Sequence, residues 1–471
     1  MKARTAVILV FATFGLVLFP LSILAHTHLY ADGAFHLANL LESHTFYRAW
    51  PTLARSEANY LVQAGTVAAM RAGVSNVRQL SWIYGTALFY IPWCFWALAC
   101  WRLLRAGMRY HAVIVAVMYT LLMLVTGWVA VSESHLAASV FVLTLAILLT
   151  SDLTGWRDAF ALVFLGLLSL FLYEFWAVYF PACFAILLLQ RRRRPAGNPF
   201  FFAALAVLCV LGTAVNIYAI MYLYPGPSTK DTMFFGENMV VAWPLTWRTS
   251  ILFLVCIVGA LGAMLFDTPI DEAPSQPRSR ITALLEAVDG EPFLVVVGLV
   301  AALGLAVVFF VHGPAPRLAF SLRVLNLILP LLFVLFAGVA ALLVDDRAIV
   351  LAPRRGLVYG LVALLLVTGA AWLVRAQGFS RYRGQIVAAT QSNIGYVPID
   401  RALPGDLEYG WAWTYPTDSL LFQAMQGTPI KSVLYNPGAE YQPFDPKDVA
   451  NARQFITKAG IRAEATALRR N

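Results

Sequence analysis

The chain has 471 residues, 60% of them hydrophobic and 13% charged, with a mean hydropathy of +0.72. A soluble chain carries about 25% charged residues, so this composition excludes a set of soluble globular domains and indicates a polytopic membrane protein. The net charge of +9 sits in short basic clusters between apolar runs, where membrane topology places it, which argues against nucleic-acid binding.

Residues 1 to 25 open with Lys2 and Arg4 and continue as an apolar run ending at Leu24 and Ala25. Ile23 is a poor residue for a small-x-small cleavage site, so the run is read as an uncleaved first span. It is followed by His26-Thr-His28 and by the stretch from Asp32 to His44. Asp32, His36, Asn39 and Ser43 recur on one helical face and Leu37, Leu40 and Leu41 on another. That pattern predicts an amphipathic helix lying at the membrane surface. Two more helical segments follow in the same loop: one over roughly 52 to 72, stopped by Gly73, and one opened by Ser75 as N-cap and running into the second span.

Apolar runs near 5–25, 82–101, 110–131, 136–150, 159–173, 175–190, 199–223, 248–266, 292–311, 324–344 and 356–374 are each long enough to cross the hydrocarbon with some tilt or thinning. A cytoplasmic N-terminus then places Arg102/Arg105/Arg109, Arg157, Arg191 to Arg194, Arg278/Arg280 and Arg347/Arg354/Arg355 inside, as the charge rule requires. The same parity divides 159–190 into two spans turning at Tyr173-Glu174-Phe175, because a single helix would put the four arginines outside. The predicted fold is an all-α polytopic membrane protein of about eleven transmembrane helices. Residues 1–374 form the transmembrane domain, with 26–81 as its first outer loop. Residues 375–471 form a small α/β outer domain, whose clearest element is a helix opened by Asp445-Pro446 and ended by Gly460.

Ionisable groups near membrane depth are costly, so those on the outer face are the candidates for chemistry. Asp32, with Gly33 beside it and His36 one turn on, could take a proton from an attacking hydroxyl or cap its own helix. Glu133 and His135 share the next outer turn and Glu174 the one after, and with Asp32 and His36 they could make one cluster. His26/His28 and Asp32/His36 have spacings that could share a divalent metal ion, but no ligand set is assigned. Arg317 and Arg323 break the positive-inside pattern and could hold a lipid phosphate by bidentate hydrogen bonds, with Lys230 a weaker candidate and His312 beside them. Tyr409, Trp411, Trp413 and Tyr415 alternate as on one face of an extended segment and could stack on sugars or rest on lipid headgroups. The five cysteines lie inside apolar runs and read as packing residues.

The chain has neither G-x-x-x-x-G-K-[ST] nor a strand-linked G-x-G-x-x-G, so an enzyme of this layout would draw an activated donor from the lipid phase. The basic N-terminus before one span, the large outer loop with its acid, the uneven spans and the outer C-terminal domain together resemble the GT-C superfamily of membrane glycosyltransferases. The resemblance implies a polyprenyl-phosphate-linked sugar donor, a glycan or lipid acceptor and inversion at the anomeric centre. It makes Asp32 the base or a metal ligand and Arg317 or Arg323 the partner of the leaving phosphate. Many members carry paired acids directly after the first span, where this chain has a single aspartate several residues later. The expected function is sugar transfer on the outer face of a bacterial inner membrane, in cell-surface glycan or lipid glycosylation, with a periplasmic C-terminal domain. The alternatives are a polymerase or ligase of undecaprenyl-diphosphate-linked glycans, a transporter of lipid-linked glycans, or an assembly protein.

Overall fold

The computed structural model describes residues 2–47, 55–124, 133–151, 153–193, 197–219, 330–331, 355–403, 409–410, 414–427 and 430–437. The expected spans near 248–266, 292–311 and 324–344 and the helix opened by Asp445 lie outside the described residues, apart from 330–331. Helix α1 (Ala3–Thr13) and helix α2 (Phe19–Ala25) are joined by a π-helical stretch, Phe14–Leu18, into one apolar rod. Pro20 lacks the amide proton that would bond back into that stretch, so the ladder widens just before it. His26, with φ 60, ends the rod in a left-handed turn.

Helices α3 (Asp32–Ser43) and α4 (Ser56–Arg71) occupy the first loop, followed by α5 (Val77–Arg105), α6 (Arg109–Leu122), α7 (Glu133–Thr150), α8 (Trp156–Leu168), α9 (Trp176–Arg193) and α10 (Pro199–Tyr218). Residues 159–190 therefore form two helices around the Glu174 turn. Every residue of α7 from Ser134 to Leu149 is buried, which makes it the central helix of the bundle. Ala3–Ala25, α5, α7, α10 and Val358–Ser392 are long and apolar enough to cross a membrane. The protein is thus mostly helical and of membrane type.

Three local expectations are corrected. Helix α3 buries Gly33 to Ala38 together with Leu40 and Leu41, so it is enclosed by neighbouring elements instead of lying on the membrane surface. Helix α4 starts at Ser56, after the left-handed Arg55. Asn76, not Ser75, caps α5, its side-chain oxygen accepting from Gln79 N at 3.1 Å; an amide oxygen reaches the third amide as well as a hydroxyl does.

Helix α11 (Arg355–Ser392) has 38 residues, so at 1.5 Å each it is about 57 Å long, well beyond a hydrocarbon core of about 30 Å. Its middle is tied to the end of α6: Trp372 Nε1 donates to Met123 O at 2.8 Å and Arg375 Nη1 to Leu124 O at 2.6 Å. Its far half carries a small α/β layer. Strand β1 (Gly395–Pro398) pairs in parallel with β2 (Ser432–Tyr435), Gly395 opposite Ser432, with α12 (Ile399–Ala402) and α13 (Tyr415–Gln426) between them. Gln423, fully buried, donates to Ser432 O at 2.9 Å and accepts from Lys431 N at 3.1 Å, fastening β2 to α13. Tyr415 begins α13 and does not continue an extended aromatic face. Both Tyr409 and Tyr415 are buried, with the Tyr409 ring against Phe379 and Tyr382. Packing on α11 takes up the Tyr409 ring, and the hydroxyl end of Tyr415 lies against Gly410.

Helix α13 is pinned to α11 through Asp418, whose Oδ2 accepts from Tyr382 Oη at 2.6 Å and from Thr414 Oγ1 at 3.0 Å. Burial pushes its carboxyl up to about 7, against the pull of those two hydrogen bonds. The folded state therefore binds a proton that the unfolded chain releases near 3.8, and this contribution is full below that value and lost as pH rises toward 7. The expected result is a thermal midpoint of the detergent-purified protein that falls over that window, with Asp418→Asn flattening the dependence; an unchanged slope would place the proton elsewhere. Gly85 supplies a second test. A Cβ there would come within 2.6 Å of His28 Nδ1, so Gly85→Ala should destabilise by about 1–3 kcal/mol. Gly360, with nothing within 4 Å, should gain up to about 1 kcal/mol on Gly360→Ala by helix propensity. Thermal unfolding compares the two.

Candidate functional site

At one end of the bundle the first loop, the start of α7 and the α8–α9 turn meet on a single guanidinium. Arg55 Nε donates to Glu174 Oε1 at 2.6 Å, and its Nη1 lies 3.9 Å from Glu133 Oε2. The Arg55 guanidinium also stacks over the Tyr173 ring, 4.9 Å from its centroid. Burial opposes its charge, but Glu174, Tyr173 and Glu133 outweigh that cost and hold its pKa above the usual arginine value. The other oxygen of Glu133 is 4.0 Å from His36 Nε2. Glu174 is therefore hydrogen-bonded to Arg55, whereas Glu133 stands one step outside hydrogen-bond length of both Arg55 and His36.

His36 and Glu133 border a small, partly open cleft of about 20 Å3. His36, Asn59, Gln63, Tyr84 and Glu133 give it a polar lining, and Val62, Leu88, Pro92 and Leu136 an apolar one. Gln63 holds its rim: it accepts from Tyr47 N at 2.8 Å and donates to Tyr47 O at 2.9 Å, which ties the chain after α3 to α4. Asp32 is half-buried at the first position of α3. The N-cap position is Ala31 at φ 50, and Asp32 is the acidic residue of the first turn. Asp32 and Glu133 both act electrostatically on the buried Tyr84 hydroxyl, which places the two carboxylates around one tyrosine.

His36, Glu133 and Glu174 thus converge through Arg55, and Asp32 joins them through Tyr84. His135 sits one turn into α7, buried, with neither ring nitrogen hydrogen-bonded among the described residues. Arg317, Arg323, Lys230, His312, Trp411 and Trp413 lie outside the described residues. The metal-sharing spacing of His26 and His28 is put to another use. His26 Nδ1 and His28 Nε2 both meet the Ser81 hydroxyl, at 3.1 and 2.9 Å. Burial, then Arg383 and Arg78, push His26 down to about 3. His28 is lowered too, by burial first and then by His26, so both rings are neutral at physiological pH. Among the described residues no group of three His, Cys, Asp or Glu is arranged to hold a metal ion.

Arg55, Tyr84, Asn59 and Gln63 were not singled out from the sequence. The signal that picked out Arg317 and Arg323, an arginine in a segment assigned to the outer face, applies equally to Arg55. Nothing in the spacing identifies Tyr84, which reads as one more aromatic of an apolar helix.

Removing one partner of a buried ion pair strands the other, at a cost of about 3–5 kcal/mol. Arg55→Ala and Glu174→Ala should each lower the thermal midpoint sharply, and the double variant should lose much less than their sum. Additive losses in that double-mutant cycle would show that the two side chains do not act together.

Compared with known proteins, the chain matches no family model, no curated protein and no solved structure.

Proposed function

We propose that the protein is a membrane-integral glycosyltransferase of GT-C type. It moves a sugar from a polyprenyl-phosphate carrier to an acceptor hydroxyl at the outer face of a bacterial inner membrane, with the N-terminus cytoplasmic and the C-terminal layer periplasmic. The observation that supports this reading is that His36 and Glu133 line one cleft, with Glu174 joined to Glu133 through Arg55 and Asp32 acting with Glu133 on Tyr84. The lining of the cleft mixes apolar walls with a few polar groups, the pattern of small-molecule sites.

In this reading Asp32 takes the proton of the acceptor hydroxyl as that oxygen attacks the anomeric carbon from the side opposite the phosphate. The bond from that carbon to the phosphate oxygen breaks, and its electron pair leaves with the lipid phosphate. Glu133 is the second carboxylate of the site. Arg55, neutralised by Glu174, is a positioning residue that fixes the spacing of the acids. The cations for the departing phosphate are the outer-loop residues Arg317, Arg323 and Lys230.

The test is sugar transfer in isolated membranes supplied with polyprenyl-phosphate sugars, comparing the native protein with Asp32→Asn at equal abundance. Loss of a general base should slow transfer by about 10²–10⁴-fold while the thermal midpoint stays unchanged. Normal transfer by Asp32→Asn would remove Asp32 from the chemistry, and absence of transfer by the native protein from every donor supplied would count against the enzyme reading.

A further inference from the structure

The small cleft beside Arg55 has a volume of about 20 Å3, and one water molecule needs about 10–15 Å3. Five polar side chains line it. The amide of Gln63 is taken up at both ends by Tyr47, and Asn59 Nδ2 donates to Arg55 O at 3.0 Å. The other three are His36, Tyr84 and Glu133, supplied by α3, α5 and α7. His36 is 7% exposed and Tyr84 2%. Among the described residues neither His36 Nδ1 nor the Tyr84 hydroxyl has a hydrogen-bond partner, and a buried polar group without one is costly.

The spacing of the three groups points to what they hold. His36 Nε2 and Glu133 Oε1 are 4.0 Å apart, too far for a hydrogen bond and close enough for one water to bond to both. A neutral imidazole carries a single N–H. Because Nδ1 has no partner, that N–H is satisfied only from Nε2. It then donates to the water, and the water donates to the Glu133 carboxylate. The Tyr84 hydroxyl supplies a second donor to the water oxygen, which makes three polar partners, within the usual range of about 2–4 for a buried water. The remaining walls, Ala58, Val62, Leu88, Pro92 and Leu136, are apolar and offer the water nothing else to bond.

We infer that the cleft is a binding site for one ordered water molecule, held by His36, Glu133 and Tyr84. The water links the imidazole of α3 to the carboxylate of α7 across a distance that the side chains do not close themselves. The site rests on the lining and spacing of these residues and does not depend on the sugar-transfer reading.

Radiolytic hydroxyl-radical footprinting of the full chain in detergent, read by mass spectrometry, tests this. A radical formed from a bound water oxidises the side chains that hold it, even where bulk solvent does not reach. Tyr84 and His36 should be oxidised several-fold faster than buried residues of the same type whose polar atoms are committed elsewhere: Tyr382, bonded to Asp418, and His28, bonded to Ser81. Val62→Leu adds a methylene to the wall and should suppress oxidation of Tyr84 and His36, with Tyr382 and His28 unchanged. Should that variant fail to fold, as judged by thermal unfolding, Ala58→Val from the same wall carries the comparison. Oxidation of Tyr84 and His36 no faster than that of Tyr382 and His28, or undiminished in a folded wall variant, would overturn the inference.

Discussion

The ion pair between Arg55 and Glu174 is the contact on which the arrangement of this end of the protein depends. Its members come from the first loop and from a turn 119 residues later, and both side chains are largely withdrawn from solvent. A charge placed there alone would be expensive, so each holds the other in place. Tyr173 adds a ring face to the same cation, and Glu133 at the tip of the central helix completes its surroundings. The backbone meets a cost as well. Arg55 has φ 62 and Ala31, just before Asp32, has φ 50, conformations that non-glycine residues avoid at about 1–3 kcal/mol each. Such strain persists where surrounding contacts over-determine the geometry, and here it falls beside the two residues that set the acids' positions.

The outer layer depends on a different kind of constraint. Helix α11 is too long to be contained in a membrane, and its far half offers a rigid post on which α13 and the β1–β2 pair are mounted. The attachment uses buried polar groups with few spare partners: Tyr382 and Thr414 on Asp418, and Gln423 on Ser432 and Lys431. Because α13 packs over α3 and holds Arg78 through Met425 O, this layer reaches back to the first loop. It packs against the helix that carries Asp32 and His36.

Much of the bundle was legible in the sequence, and the reasons are physical. Apolar runs identify helices regardless of their neighbours, and charge parity was enough to divide 159–190 at Glu174, because four adjacent arginines have a strong preference of side. The convergence of His36, Glu133 and Glu174 could be framed only as a condition, since spacing along a chain does not say which turns of a bundle are adjacent. Arg55 and Arg78 were passed over because basic residues in a long loop usually meet solvent or lipid headgroups. The environment of α3 was misread for a related reason. Its polar residues have helical spacing, which predicts a solvated face, but His36 faces Glu133 and Asn39 turns back on Phe35 O at 2.7 Å. An amphipathic pattern records where polar groups are and cannot tell water from a buried partner.

Helix α5 shows how one element can divide its labour along its length. From Val77 to Arg105 it contains no acidic residue, yet its first turns order charges of both signs. Arg78 donates to Met425 O, Ser81 meets the rings of His26 and His28, Gly85 gives the His28 ring room to lie against the backbone, and Tyr84 feels the charges of Glu133 and Asp32. Ser81 and Tyr84 are three residues apart, so the two clusters are separated by about one helical turn. The two histidines that meet Ser81 are kept neutral by burial, with Arg383 and Arg78 adding to the effect at His26 and the Ser81 hydrogen bond opposing it at His28.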